Sequence, residues 1–478
     1  MKLFIASILV LITVSVMAEQ PNIIVILCDD LGYVDVGFNG ATDIVTPKLD
    51  SLAENGTIFT SAYVTHSFCG PSRMGLMSGR YPHEIGAPFN LPAASNGIAK
   101  YNAQGIDVNE TLMSTVLQEA GYFTGAIGKW HMGIKPQFHP NTRGFDDYYG
   151  FLGGGHRYFP DQYRPQYERA VQNGSKNIWD YILPLEHNGV EVNETEYITD
   201  ALSREAVRFV TEAATKDQPF FLYLAYNAPH TPLEAKQEDM AVFASILDKD
   251  RQSYAGMVCG VDRGVGEVVD ALKATGQFDD TLIVFLSDNG GKESQGANNG
   301  VLREGKGSVY EGGYRVPMFW HWPQHVPAGK RYHHPVTALD FYPTFARLAN
   351  ATIPEGKHLD GTDIWDDFLA DHSPRQGGMI YVLRHRAGQG YSDVSARKDQ
   401  WKACRIYRQK WKLFNIVQDI GENNDLSALH PEILSEMVSE AKRWSQSHTD
   451  PLWYDSLKAE ADWMNYGMPN YDVTFSLD

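Results

Sequence analysis

The chain has 478 residues, of which 43% are hydrophobic and 12% aromatic, with four cysteines and a formal charge of −18. This composition belongs to a well-packed globular protein and excludes a disordered or fibrous one, and the length favours two domains over one core. The negative charge excludes nucleic acid and anionic lipid as partners over most of the surface, so an anionic substrate needs a local basic pocket.

In chain order, the first feature is Met1-Lys2, followed by an apolar run over residues 3–16 and a small Ala18 before Glu19. A charged start, an apolar stretch and a small-residue cleavage site predict a signal peptide over residues 1–18, and hence an exported protein, periplasmic or secreted. The apolar run is shorter than the roughly 20 residues that span a bilayer. No later segment is apolar enough either, so the mature chain is expected to have no membrane span.

Residues 22–27, Asn-Ile-Ile-Val-Ile-Leu, predict a strand buried on both faces that ends at Asp29 and Asp30. Residues 220–225 and 281–286 repeat the pattern and end at Asn227-Ala228-Pro229-His230 and Asp288-Asn289-Gly290-Gly291. Helical periodicity appears over residues 48–54, 111–119, 200–213 and 254–275. Strands alternating with helices predict an α/β fold with a mainly parallel sheet, whose ligands bind beyond the carboxyl ends of the strands. Residues 150–184, rich in Gly, Tyr and Pro, read as a long substrate-side loop. After about residue 375 the texture changes to short alternating segments at 401–406 and 411–416 and a helix over 431–445. A small antiparallel sheet plus helix is expected there, dividing the mature chain into an N-terminal domain, 19–375, and a C-terminal α+β subdomain, 376–478.

The cysteines (Cys28, Cys69, Cys259 and Cys404) are far apart and show no C-x-x-C spacing, which points to neither a zinc site nor a disulfide scaffold. Cys69 opens Cys69-Gly70-Pro71-Ser72-Arg73, continued by Leu76, Ser78 and Gly79. Pro71 suits the first turn of a helix and puts Cys69 at its N-terminus, where free N–H groups favour anions. The blander alternative is a cysteine that happens to precede a helix. Asp29, Asp30, Asp288 and Asn289 supply hard oxygen ligands without imidazole or thiolate, which suits Ca²⁺ or Mg²⁺ better than Zn²⁺. Either pair alone reads equally well as a helix cap or a solvated turn. Further polar clusters are Gly121-Tyr122-Phe123-Thr124 with Gly128-Lys129-Trp130-His131, then Ala228-Pro229-His230-Thr231-Pro232, and Gly305-Lys306-Gly307-Ser308 before Glu311-Gly312-Gly313.

Taken together, these motifs resemble the signatures of the formylglycine-dependent type I sulfatases, over nearly the whole mature chain. The overall texture is most similar to that of bacterial polysaccharide sulfatases acting on marine galactans such as carrageenans. The resemblance implies the alkaline phosphatase-like α/β fold, with helices on both faces of the sheet and a smaller C-terminal subdomain. It implies oxidation of Cys69 to formylglycine by a formylglycine-generating enzyme or an anaerobic sulfatase-maturing enzyme. It also implies one Ca²⁺, with Mg²⁺ as second choice, held by Asp29, Asp30, Asp288, Asn289 and residue 69. Arg73, Lys129 and Lys306 would neutralise the sulfate, His230 would protonate the departing alcohol, and His131 would act as the base that returns the aldehyde. His156, Arg157 and Arg164 are candidates for contacts to a sulfated polysaccharide or oligosaccharide. Cys28 departs from the family, which more often has a small or aliphatic residue there, and reads as a packing cysteine. Two readings compete: a phosphonate monoester or phosphodiester hydrolase with the same signature, and a non-catalytic polysaccharide-binding protein in which Cys69 stays unconverted. A hydrolase using Cys69 as a thiol would need a depressed thiol pKa.

Overall fold

The three apolar runs become adjacent strands. Asn22–Cys28 lies between Phe220–Ala225 and Thr281–Ser287 and runs parallel to both. Its side chains alternate between two cores, Ile23, Val25 and Leu27 facing one and Ile24, Ile26 and Cys28 the other. Every residue of the three strands is buried, as a sheet covered by helices on both faces requires. The computed structural model describes residues 20–92, 103–386, 391–467 and 471–477. The predicted signal peptide lies outside them.

The full sheet has ten strands in the order Lys330–Tyr332, Thr57–Phe59, Met318–His321, Thr281–Ser287, Asn22–Cys28, Phe220–Ala225, Phe123–Lys129, Asp147–Phe151, Glu186–His187, Val190–Glu191. Pairing is parallel through the centre; Met318–His321 is antiparallel to both its neighbours, and the last two strands pair antiparallel at the edge. The expected helices are present as Pro47–Glu54, Met113–Glu119, Ile198–Ala213 and Lys249–Ala274. No described helix is long and apolar enough to cross a membrane.

One expectation needs correction. Residues 150–184 are not a plain loop, because Pro160–Gln172 forms a helix with Pro160 in its first turn, a position where the missing N–H costs nothing. Its internal Pro165 and the surrounding Gly and Tyr hide the helical period. The strand Phe123–Lys129 was also concealed, by Gly125 and Gly128. A Cβ on Gly125 would lie 2.4 Å from the Phe209 ring, and one on Gly128, at φ +106°, would lie 2.0 Å from the Ala225 carbonyl oxygen. These glycines let a helix and the next strand approach closely.

The C-terminal sheet pairs Met379–His385, Ser392–Lys398, Trp401–Arg405 and Lys412–Asn415 antiparallel in chain order. The helix Pro431–Trp444 packs Leu434, Met437, Val438 and Ala441 against Leu383, Val394, Ala396 and Ala403. From the same sheet Ile380, Val382, Cys404 and Phe414 join a core of the large sheet, so the two parts share apolar surface.

A buried histidine cluster sits at this junction. The His83 ring lies 5.7 Å from His66, 5.3 Å from His385 and 5.0 Å from His448 between centroids. Burial drives the His83 pKa down to about 3 and depresses the other three. An unfolded histidine takes its proton near pH 6.5, so between that pH and about 3 the unfolded chain binds more protons and stability falls with falling pH. His83 alone is expected to account for about 2 kcal/mol lost between pH 7 and pH 5. Urea unfolding of wild type and His83→Leu at both pH values measures this; the same drop in both proteins would refute it.

Candidate active site

Four adjacent strands deliver polar side chains at one edge of the sheet. Asp29 and Asp30 follow Asn22–Cys28, Asp288 and Asn289 follow Thr281–Ser287, Lys129 ends its own strand just before His131, and His230 follows Phe220–Ala225. Facing them is the helix Cys69–Ser78, buried along its whole length, entered from extended Phe68 and closed by Gly79 at φ +68°. Cys69 is therefore the first helical residue, as Pro71 predicts. The Gly70 N–H donates to Asn90 Oδ1 at 2.9 Å. Asn90 anchors this helix start, and no sequence pattern announced it.

The ligand atoms of Asp29, Cys69 and Asp288 lie within 4.8 Å of one another, as do those of Asp29, Asp30 and His230. Three cations interleave with the carboxylates. Lys129 Nζ donates to Asp29 Oδ2, Arg73 places Nε and Nη2 each 2.9 Å from Asp288 Oδ2, and Lys306 Nζ lies 2.6 Å from Asp30 Oδ1. Asn289 Nδ2 donates to Asp30 Oδ1 at 2.7 Å. His230 has Nδ1 2.7 Å from the Thr231 carbonyl oxygen and Nε2 3.7 Å from Asp30 Oδ2. His131, in the left-handed region at φ +60°, is buried with Nδ1 unpartnered. Gly70 and Gly154 flank it: a Cβ on Gly70 would lie 3.4 Å from His131 Cε1, and one on Gly154 2.8 Å from Nε2.

Burial opposes ionisation of Asp29, yet Lys129, then His230 and Arg73, hold its pKa far below the ordinary carboxylate range. Burial and the Asp29 charge instead push Asp288 up to about 7. Two carboxylates this close in a low-dielectric site cannot both ionise without more positive charge. Asp29 Oδ1 and Asn289 Oδ1 are buried and have no hydrogen-bond partner. Hard oxygen donors and orphaned lone pairs fit a hard divalent cation. Burial also raises the Cys69 thiol pKa, although Lys129 and Lys306 pull it the other way. That disfavours a thiolate nucleophile.

The structure does not bring His156, Arg157 and Arg164 into this group. His156 is buried with its ring nitrogens 2.6 Å from the carbonyl oxygens of Arg157 and Leu183. Arg157 pairs with Glu234, and Arg164 donates to the Val192 carbonyl at 2.7 Å. These polar groups are already committed to holding the segment together. The same segment meets the site through Gly154 and through Tyr181, whose ring centroid is 6.3 Å from that of His230. Beside His131 it encloses a recess of about 220 Å³ lined by Leu91, Ile134, Phe151, Gly154 and Asp180, among others. Cys28, at the end of its strand, is 1% exposed and packs in the core.

The chain resembles several known proteins. The profile of the family named Sulfatase matches residues 21–351. Arylsulfatase G of Homo sapiens is 31% identical over 414 residues, covering 81% of this chain and 76% of the relative. The uncharacterized sulfatase YdeN of Escherichia coli (strain K12) is 32% identical, with 91% of this chain and 87% of the relative covered. The crystal structure of Ps i-CgsB, solved alone and in complex with k-i-k-neocarrahexaose, superposes with a TM-score of 0.93 at 58% identity over 96% of this chain and 100% of that one. A profile match over most of the chain, with relatives of this identity and coverage, means that the chain belongs to the sulfatase family.

Proposed function

We propose that the protein removes sulfate from a carrageenan-type galactan, with residue 69 as formylglycine and one calcium ion beside it. One observation carries this reading: the Cys69 side chain abuts Asp29 and Asp288, while buried Arg73 and Lys129 and half-buried Lys306 surround the same point. The carrageenan preference is supported by the oligosaccharide bound to the 58% identical Ps i-CgsB. The predicted signal peptide puts the reaction outside the cytoplasm, where polymers are met. Conversion of Cys69 by a formylglycine-generating or anaerobic sulfatase-maturing enzyme would supply the nucleophile, a hydrated aldehyde in place of a thiol whose pKa burial raises.

Asp29, Asp30, Asp288, Asn289 and residue 69 would hold the cation, which when bound supplies Lewis-acid stabilisation of anionic oxygen. Lys129, Lys306 and Arg73 bind and orient the sulfate and offset charge that shifts toward the leaving oxygen, a preorganised electrostatic role. His230, with Nδ1–H donated to the Thr231 carbonyl, would act as the imidazolium, giving its Nε2 proton to the departing alcohol and becoming neutral. His131, against Gly70, takes a proton from the side chain of residue 69. The net reaction consumes one water and yields an alcohol and inorganic sulfate.

Two measurements test the proposal together. Intact mass should show residue 69 without its sulfur and two hydrogens and with one added oxygen. Sulfate release from carrageenan oligosaccharides should exceed hydrolysis of an aryl phosphodiester. A chain with an unconverted thiol and no release would instead favour the polysaccharide-binding alternative, and a diesterase preference the phosphonate monoester hydrolase alternative. Chelation of divalent cations is expected to lower sulfate release by about tenfold or more, with calcium restoring it. Full activity after exhaustive chelation would remove the cation from the scheme.

A further inference from the structure

Arg384 belongs to the C-terminal strand Met379–His385 but reaches toward the large sheet. Its guanidinium lies 4.9 Å from the centroid of the Phe68 ring, and Nη1 donates to the Gly307 carbonyl. Phe68 immediately precedes residue 69, and Gly307 immediately follows Lys306. The cation therefore touches the chain neighbours of two proposed site residues. Among the described residues no carboxylate forms an ion pair with it, whereas nearby Arg386 is paired with Asp393. Arg384 Nε is buried and has no hydrogen-bond partner. Burial, then Arg386, pulls the Arg384 pKa down, only partly offset by Asp393, Asp455 and Glu304.

A guanidinium taken out of water without an anion costs free energy, and a charge-assisted bond to an oxyanion recovers it. Among the described residues Arg143, Arg164 and Arg405 also have a buried Nε without a hydrogen-bond partner and no ion pair, but of these four cations only Arg384 touches the chain neighbours of residue 69 and Lys306. Of the sequence-based candidates for a neighbouring sulfate, Arg157 pairs with Glu234, and Arg164 donates to the Val192 carbonyl away from residue 69 and Lys306. We propose that Arg384 binds a second sulfate ester on the same substrate molecule, so that the C-terminal sheet sets the preference for multiply sulfated chains. The inference rests on the sulfatase reading above.

The test compares a carrageenan oligosaccharide bearing one sulfate with one bearing a second sulfate on the adjacent sugar. Arg384→Gln keeps a donor for Gly307 while removing the charge, and Arg384→Lys restores the charge without the planar fork. In wild type kcat/KM should favour the doubly sulfated substrate. Arg384→Gln should reduce that preference about tenfold or more, chiefly through KM, and Arg384→Lys should recover part of it. An unchanged preference in Arg384→Gln, or equal loss on both substrates, would overturn the inference. Calorimetric titration of both oligosaccharides into Cys69→Ala, with and without Arg384→Gln, decides it without turnover: weakening must be confined to the doubly sulfated ligand. If wild type releases no sulfate from either compound, the sulfatase reading fails separately.

Discussion

His230→Ala is expected to lower kcat on a sugar sulfate by about 10²–10⁴-fold and to spare a nitrophenyl sulfate most of that loss. His230 Nδ1 is held by the Thr231 carbonyl, so the proton that moves must be at Nε2, which faces Asp30 at 3.7 Å. A sugar alkoxide is a poor leaving group and needs that proton in the transition state, whereas a nitrophenolate departs without it. His131→Ala should behave differently, because a base acting on residue 69 after the ester bond breaks slows both substrates alike. Steady-state kinetics on the two leaving groups separates the roles. An equal loss on both substrates for His230→Ala, or a change in KM alone, would assign His230 to binding.

How much of this was legible depended on whether the signal was local. The central strands could be read because apolar residues run almost without interruption and give way to polar clusters holding Asp29, His230 and Asp288. Cys69 at a helix start was legible because Pro71 and Gly79 punctuate the helix. Gly125 and Gly128 broke the pattern of a strand whose glycines serve neighbours far away in sequence, Phe209 and Ala225. His156, Arg157 and Arg164 looked available because sequence does not show that Leu183, Glu234 and Val192 already take their donors. Arg384 was invisible for the converse reason, since its lack of a carboxylate partner appears only when the C-terminal sheet folds back toward Phe68 and Gly307.

The fold-back itself has a testable anchor. Lys402 Nζ lies 3.0 Å from Glu311 Oε1 and 2.8 Å from Glu422 Oε1, with all three side chains excluded from solvent. Glu311 also accepts from Tyr63 at 2.7 Å and pairs with Arg315 at 3.0 Å, while its own N–H donates to Glu422 Oε2 at 2.7 Å. Burial drives Glu422 up to about 7, with Lys402 opposing, whereas Lys402 and Arg315 overcome burial to hold Glu311 down at about 2. Lys402→Met is expected to destabilise the protein by about 3–5 kcal/mol, because it leaves buried carboxylate charge without its central cation. Adding Glu422→Gln to that variant should recover part of the loss by removing one of those charges, a non-additivity that urea unfolding of the two variants and Glu422→Gln alone would expose. Loss of turnover should accompany loss of stability, since Gly312 and Gly313, next to Glu311, hold the loop that carries Lys306 through bonds to Arg303 and Gly290. A Lys402→Met protein as stable as wild type would mean that the apolar contacts alone fasten the C-terminal sheet, and that Arg384 reaches the site without help from this network.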